Sequence, residues 1–225
     1  MSVYEFSRAR GAFFHADARR LAALLPPGLR PLESHPELGV LALSVFDFHT
    51  SEVGPYRELV VSVVVAPWVA RGEPLPHSAV FPVLLATTTE RSRSHAAERW
   101  KLPELDRLLT IELDDSAELA CVRVDDGARP LFRLRVGLGP QGDARRIYQC
   151  FSRDAKQLYR ANIEFAGPLA EHEDERGELE LGDHPLATWL GELLDDPIPF
   201  REQSMGRGEE RYGSLTPHAS EARQA

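Results

Sequence analysis

The residue of this chain that most clearly suggests chemistry is a glutamate at the start of an apolar segment. Glu58 begins the stretch 58–66, in which residues 60–65 read Val-Val-Ser-Val-Val-Val. β-Branched residues favour a strand over a helix, and a nearly continuous apolar run predicts a strand that is buried on both faces. Because burial of an unpartnered carboxylate is costly, Glu58 is either a pocket acid or base with a raised pKa or a rim residue paired with Arg57.

Other familiar catalytic patterns are absent from the sequence. There is no phosphate-binding glycine loop between a strand and a helix, and no Gly-x-Ser-x-Gly motif. The eight histidines are scattered without ligand spacing, so the sequence predicts no metal site, although one assembled from distant strands stays open. No cofactor is predicted. Cys121 and Cys150 both fall in predicted strands, and we interpret them as reduced core residues of a cytoplasmic protein.

The overall composition indicates a globular protein. The chain has 225 residues, of which 43% are hydrophobic, enough for one domain with a substantial core. Its net charge of −9, without a basic stripe, argues against nucleic acid as a partner. No apolar run reaches the roughly 20 residues that a membrane span needs, and residues 1–10 show no secretory signal.

The hydrophobic pattern predicts a mainly β (α+β) fold with a few peripheral helices. Helices are expected at 17–25, with Asp17 as the N-cap, at 90–100 and at 185–194. Strands are expected at 38–48, 58–66, 79–89, 108–113, 119–124, 131–136, 145–151 and 157–165, with an acidic hairpin or loop at 171–180. Short strands at this spacing predict a single antiparallel barrel-like or sandwich domain over residues 1–216, followed by a polar tail over 217–225.

Three segments together resemble the acetoacetate decarboxylase-like family. They are residues 24–29 (LLPPGL), residues 51–58 (SEVGPYRE) and residues 95–104 (HAAERWKLPE), with a weaker likeness at 181–186 (LGDHPL). Their order and separation span most of the chain. The resemblance implies an antiparallel β-barrel or cone around a closed pocket, and it favours a role for Glu58 inside that pocket.

The resemblance fails at the family's nucleophile. Family members use a lysine that forms an imine with a β-keto acid, and the protonated imine accepts the electrons released when carbon dioxide leaves. Glu104 occupies the matching position here, and Leu105 follows where a second lysine often stands. Since a carboxylate cannot form an imine, we expect decarboxylation by this route to be lost. Lys101, three residues earlier, is either a relocated nucleophile or a surface residue beside Trp100.

The resemblance also yields a set of predicted site residues. Glu58 and Glu104 are the expected catalytic acid and base. The expected substrate-binding residues are Tyr56, Arg57, Glu98, Trp100 and His49. Alternatively, Tyr56 and Arg57 lie on a loop surface, Glu98 forms an ion pair, Trp100 packs the pocket wall and His49 is structural. Glu104 could likewise be a solvated residue after Pro103. These residues suggest an enzyme that acts on a small oxo-acid or carbonyl metabolite without an imine. The alternatives are a non-catalytic small-molecule-binding protein and a decarboxylase or aldolase that uses Lys101. A homo-oligomer is compatible with the resemblance.

Overall fold

The described part of the chain is mainly β. The computed structural model describes residues 1–69, 71–115 and 118–218, and this part contains fourteen strands and three helices. The helices are α1 (Ala18–Leu24), α2 (Glu90–Trp100) and α3 (Pro185–Leu193). The strands are β1 (Ser2–Asp17), β2 (Glu33–His35), β3 (Leu38–Thr50), β4 (Tyr56–Val65), β5 (Ser78–Thr87), β6 (Thr110–Asp114), β7 (Leu119–Asp126), β8 (Arg129–Gly137), β9 (Gly142–Arg153), β10 (Leu158–His172), β11 (Glu178–Leu181), β12 (Arg201–Met205), β13 (Gly208–Tyr212) and β14 (Thr216–Pro217).

A ten-stranded sheet carries most of the fold. Its order is β12-β1-β13-β10-β9-β5-β4-β3-β2, with β14 on β10 and further pairings of β1 with β3 and of β10 with β12. The pairing is antiparallel except between β5 and β9, which run parallel. The mainly β prediction is therefore confirmed, a purely antiparallel sheet is wrong, and a closed barrel is not confirmed. Strands β5 and β9 can run parallel because the chain between them forms α2 and three strands of another sheet before it returns.

A four-stranded sheet, in the order β11-β8-β7-β6, packs against the large one. One hydrophobic cluster contains buried residues of both sheets, including Ile111, Val122 and Leu134 from the smaller sheet and Leu41 and Val63 from the larger. Burial of this apolar surface is the main force that holds the two sheets together.

The two helices that flank the predicted family segments begin and end where the sequence indicates. The carboxylate of Asp17 accepts hydrogen bonds from the backbone of Arg19 and Arg20, so the predicted N-cap of α1 is confirmed. Helix α2 covers the predicted residues and ends at Lys101, which adopts a left-handed conformation with φ of 56°. The left-handed residue ends the helix and turns the chain into the loop that carries Glu104.

The C-terminal third differs most from the sequence prediction. Strand β10 continues to His172 and β11 begins at Glu178, so the expected acidic hairpin or loop at 171–180 is a loop over residues 173–177 between the ends of two strands. Strands β12 and β13, which each pair with β1 and β10, were not predicted, because their residues are mostly polar. Pro217 pairs with β10, whereas residues 219–225 of the expected tail lie outside the described residues. No helix in the described ranges is long and apolar enough to cross a membrane.

Candidate functional site

The large sheet encloses a cavity of about 120 Å³. Most of its lining is apolar and comes from strands on several sides, including Phe46, Val60, Ile163, Phe165 and Met205. The stacked rings of Phe46 and Phe165, with centroids 5.7 Å apart, join the β3 and β10 walls. An apolar cavity with a few polar groups is the usual form of a ligand site, so the polar groups of this lining decide what it can do.

Two buried carboxyl groups line this cavity. Glu58 lies on β4 and Glu210 on β13, with 5% and 2% of their surface exposed. In the β-ladder Glu58 lies opposite Phe46, and Glu210 lies between Tyr4 and Phe165. The strand alternation that directs these aromatic residues inward therefore directs both carboxyl groups inward too.

Each carboxyl group has a tyrosine beside it rather than a cation. Tyr56 beside Glu58 and Tyr212 beside Glu210 act as hydrogen-bond donors that lower the pKa of the carboxyl groups. Oxygen Oε2 of Glu210 is buried without a hydrogen-bond partner. Neither carboxyl group forms an ion pair within the described ranges of the chain. A buried, unpartnered acceptor atom beside a cavity is what a ligand with a hydrogen-bond donor, or a proton on the carboxyl itself, would satisfy.

The environment raises the pKa of both carboxyl groups. Burial raises the pKa of Glu58 to about 8, although the hydrogen bond from Tyr56 opposes the shift. Burial also raises the pKa of Glu210 well above its ordinary value, and the nearby charge of Glu58 adds to this. Glu58 therefore exchanges its proton close to neutral pH, and burial favours the protonated form of Glu210. Carboxyl groups whose pKa values are raised in this way are suited to general acid–base chemistry.

Cys150 also lines the cavity, but its surroundings disable it as a nucleophile. Burial raises the pKa of its thiol to about 12, and the charges of Glu210 and Glu58 act in the same direction. Thiolate is the reactive form of cysteine, so a thiol held protonated is chemically inert.

The structure does not bring the two predicted catalytic residues together. Glu58 lies in the cavity, whereas Glu104 is exposed and lies outside the cavity lining. The backbone of Leu105 donates to the carbonyl of Leu85, which fixes this loop along β5, and Leu102 is the loop residue that lines the cavity. Where the sequence places Glu104 as the partner of Glu58, the structure places Glu210.

Lys101, the alternative nucleophile, also lies outside the cavity lining. Lys101 lies at the C-terminus of α2, and its Nζ donates to the carbonyl of Glu98 at 2.8 Å. That bond caps the helix end, and Lys101 is not part of the cavity lining. The side chain of Glu98 likewise lies outside the lining.

Two of the predicted substrate-binding residues face away from the cavity. Arg57 alternates with Glu58 along β4 and bonds to Asp47 at 3.2 Å and to the carbonyl of Ile111 at 2.7 Å. His49 shares a short contact of 2.7 Å between Nδ1 and the carbonyl of Glu5. Both side chains link strands at the surface.

Trp100 packs behind the cavity wall. Its Nε1 donates to the Tyr4 hydroxyl at 3.0 Å, and its ring stacks on Tyr212 with centroids 4.4 Å apart. The Tyr4 hydroxyl also lies 2.7 Å from Nε2 of His95. Trp100 therefore positions Tyr212, the hydrogen-bond donor beside Glu210. Tyr56, another predicted residue, is itself the hydrogen-bond donor beside Glu58.

The residues that the sequence prediction missed lie on β13 and β9. Glu210 and Tyr212 belong to the segment Glu-Glu-Arg-Tyr, in which every second residue faces the cavity. This period-two alternation was the available signal, but the polar composition of β13 hid it. Arg146 and Cys150 were missed because a strand pattern alone does not say which face looks inward.

Comparison with known proteins identifies the fold. No protein-family model matches the chain, and no curated protein matches it by sequence. A solved structure of the enduracididine biosynthesis enzyme MppR with bound HEPES buffer has a TM-score of 0.70 and 11% identity, covering 99% of this chain and 89% of that one. The structure of acetoacetate decarboxylase from Legionella pneumophila has a TM-score of 0.68 and 15% identity, and the match covers 97% of this chain and 88% of that one.

An acetoacetate decarboxylase-like enzyme from Sphingomonas wittichii RW1 is also similar, with a TM-score of 0.60 and 17% identity, covering 96% of this chain and 92% of that one. These likenesses extend over nearly the whole of each chain. The chain therefore has the acetoacetate decarboxylase-like fold, which confirms the resemblance seen in the sequence. At such low identity the likeness concerns the fold and not the activity.

Proposed function

We propose that this protein is an acid–base enzyme that enolises a small oxo-acid or related carbonyl compound. In this proposal Glu58 removes a proton from the carbon beside the carbonyl, and protonated Glu210 donates to the carbonyl oxygen. The observation that supports it is the pair of buried carboxyl groups, without a cationic partner in the described ranges, that line one apolar cavity. Carboxyl groups tied to arginines would instead favour a purely structural role.

The proposed step balances within the substrate and these two residues. The ionised form of Glu58 accepts the proton, the C–H electron pair becomes a carbon–carbon double bond, and the carbonyl π pair moves to oxygen. Glu210 stabilises the developing oxyanion through its acidic proton, because a carboxyl kept neutral by burial is a hydrogen-bond donor at neutral pH. Return of a proton to the same carbon completes an exchange, and its return to another carbon of the enol system completes an isomerisation.

Imine chemistry has no support in the cavity. The chain contains two lysines, Lys101 and Lys156, and neither belongs to the cavity lining. The fold neighbour MppR has also been solved in complex with pyruvate. Pyruvate and other α-oxo acids are therefore reasonable first substrates, and their protons beside the carbonyl can be followed without knowledge of the complete reaction.

The test is exchange of those protons for deuterium, followed by proton NMR in D₂O. We expect the wild-type protein to exchange them in at least one acid of a panel of α-oxo acids, and the rate to rise with pH up to about 8 as Glu58 ionises. Glu58→Gln and Glu210→Gln should each lower the rate by about 100-fold or more. Glu104→Gln, a matched change at an exposed carboxylate, should leave it unchanged.

Three other outcomes would contradict the proposal. Binding of the acids without exchange would indicate a small-molecule-binding protein. Exchange that survives Glu58→Gln would remove the acid–base role of this residue. An adduct trapped by borohydride, found by intact mass and lost in Lys101→Ala, would show that imine chemistry is retained through a relocated lysine.

A further inference from the structure

Arg146 lies in the same row of the sheet as the buried carboxyl group of Glu210. In the ladder formed by β13, β10 and β9, Glu210 pairs with Phe165, and Phe165 pairs with Arg146. All three residues line the cavity. Since neighbouring strands are about 4.8 Å apart, the backbones of Glu210 and Arg146 are separated by about 10 Å across the row.

Arg146 has no carboxylate partner in the described ranges. Its guanidinium donates to the carbonyl of Arg145 at 3.4 Å, which is long for a hydrogen bond. The neighbouring Arg145 points to the other face of β9 and forms an ion pair with Glu164 at 2.7 Å. Arg10, the other arginine of the lining, is held by Asp115 at 2.6 Å. Arg146 is thus the lining cation whose charge is available to a ligand.

The polar groups around Arg146 mark the more open side of the cavity. Arg146 is exposed, and Tyr148 and Gln203 are partly buried, in contrast to the fully buried carboxyl groups. The amide of Gln203 donates to the Tyr148 hydroxyl at 3.3 Å. Phe165 lies between Glu210 and Arg146 in the row, and Phe46 stacks on it. The cavity lining is therefore cationic at Arg146, acidic at Glu58 and Glu210, and apolar along much of the remaining wall.

We propose that Arg146 binds the carboxylate of an α-oxo acid with an apolar substituent, and so directs the carbonyl of that acid toward Glu210. This inference rests on the proposed function and names its substrate class. The guanidinium matches a carboxylate in geometry as well as in charge. The apolar wall accommodates a branched or aromatic substituent better than a polar one, because a polar group there would lose its hydrogen bonds to water.

Binding of acids and of their methyl esters tests the inference. The probes are α-ketoisocaproate, pyruvate and the methyl esters of both, with Kd measured by ligand-observed NMR or calorimetry. The wild-type protein should bind each acid about 10- to 100-fold more tightly than its ester, as expected for a hydrogen-bonded charge pair. It should also bind α-ketoisocaproate more tightly than pyruvate, because the larger substituent buries more apolar surface.

The variants separate this arginine from its neighbour. Arg146→Met should abolish the preference for acid over ester, Arg146→Lys should restore part of it, and Arg145→Met on the opposite face should retain it in full. An unchanged preference in Arg146→Met, or no binding of either acid by the wild-type protein, would overturn the inference. Glu58→Gln should retain acid binding while losing proton exchange, so failure at Arg146 and failure of the proposed chemistry give different results.

Discussion

Replacement of Glu58 by glutamine is expected to stabilise the protein, and increasingly so as the pH rises. Glutamine keeps the shape of the side chain and its contact with Tyr56 but cannot ionise. In the native protein burial raises the pKa of Glu58 from 4.5 to about 8. Between these values the unfolded chain loses the proton of Glu58 while the native protein keeps it, so the free energy of unfolding of the wild type falls as the pH rises.

The size of the effect follows from the shift. One pKa unit corresponds to about 1.4 kcal/mol, so the rise from 4.5 to about 8 amounts to about 5 kcal/mol once the pH exceeds the native value. Loss of the Glu58 charge also removes one of the causes that raise the pKa of Glu210, which acts in the same direction. Glu58→Gln should therefore differ little from the wild type at about pH 5 and gain several kcal/mol at about pH 8.5.

Urea unfolding followed by tryptophan fluorescence, at a series of pH values, measures this difference. Glu104→Gln is the matched control, because it makes the same chemical change at an exposed position and should run parallel to the wild type at all pH values. A difference between Glu58→Gln and the wild type that does not change with pH would refute the reasoning. A difference of opposite sign would mean that Glu58 is ionised and paired in the native protein at neutral pH.

Two further predictions concern the walls of the cavity and the junction of the sheets. Burial raises the pKa of Cys150 to about 12, so Cys150 should resist iodoacetamide in the native protein while the partly buried Cys121 reacts. Both cysteines should react in urea. Equal reaction rates of the two cysteines in the native protein would contradict the burial of Cys150. Gly182→Ala should cost about 2 kcal/mol in urea unfolding, because its Cβ would collide with the carbonyl oxygen of Pro130. Gly142→Ala, where no heavy atom lies within 4 Å of the added carbon, should be close to neutral, and equal losses in the two variants would contradict the steric argument.

The sequence predicts much of this fold because local signals and tertiary packing agree over most of the chain. Apolar, β-branched segments such as 58–66 form strands in either context, and the Asp17 cap and helix 90–100 depend on short-range interactions. The parallel pairing of β5 and β9 depends on where the chain returns after about sixty residues, and no local pattern encodes that. The polar segments β12 and β13 become strands through pairing with their neighbours β1 and β10.

Only one of the two cavity carboxyl groups could be predicted from the sequence, because the other depends on tertiary packing. Glu58 is conspicuous because a charged residue opens an apolar strand, whereas Glu210 lies among charged residues, and its burial is visible only once β1 and β10 flank it. Glu104 was favoured because it matches the family's lysine position. That match concerns order along the chain, and the loop that carries Glu104 delivers Leu102 to the cavity instead.

The proposed acid–base function depends on a cavity lining that contains no lysine. An ammonium group beside buried carboxylates would favour their ionised forms and hold their pKa values low. With Leu102 as the contribution of this loop, and no ion pair to either carboxyl group within the described ranges, burial dominates and raises both pKa values. Under the proposed function, a lining without lysine therefore leaves these two carboxyl groups to act as a proton donor and a proton acceptor instead of balancing a buried cation.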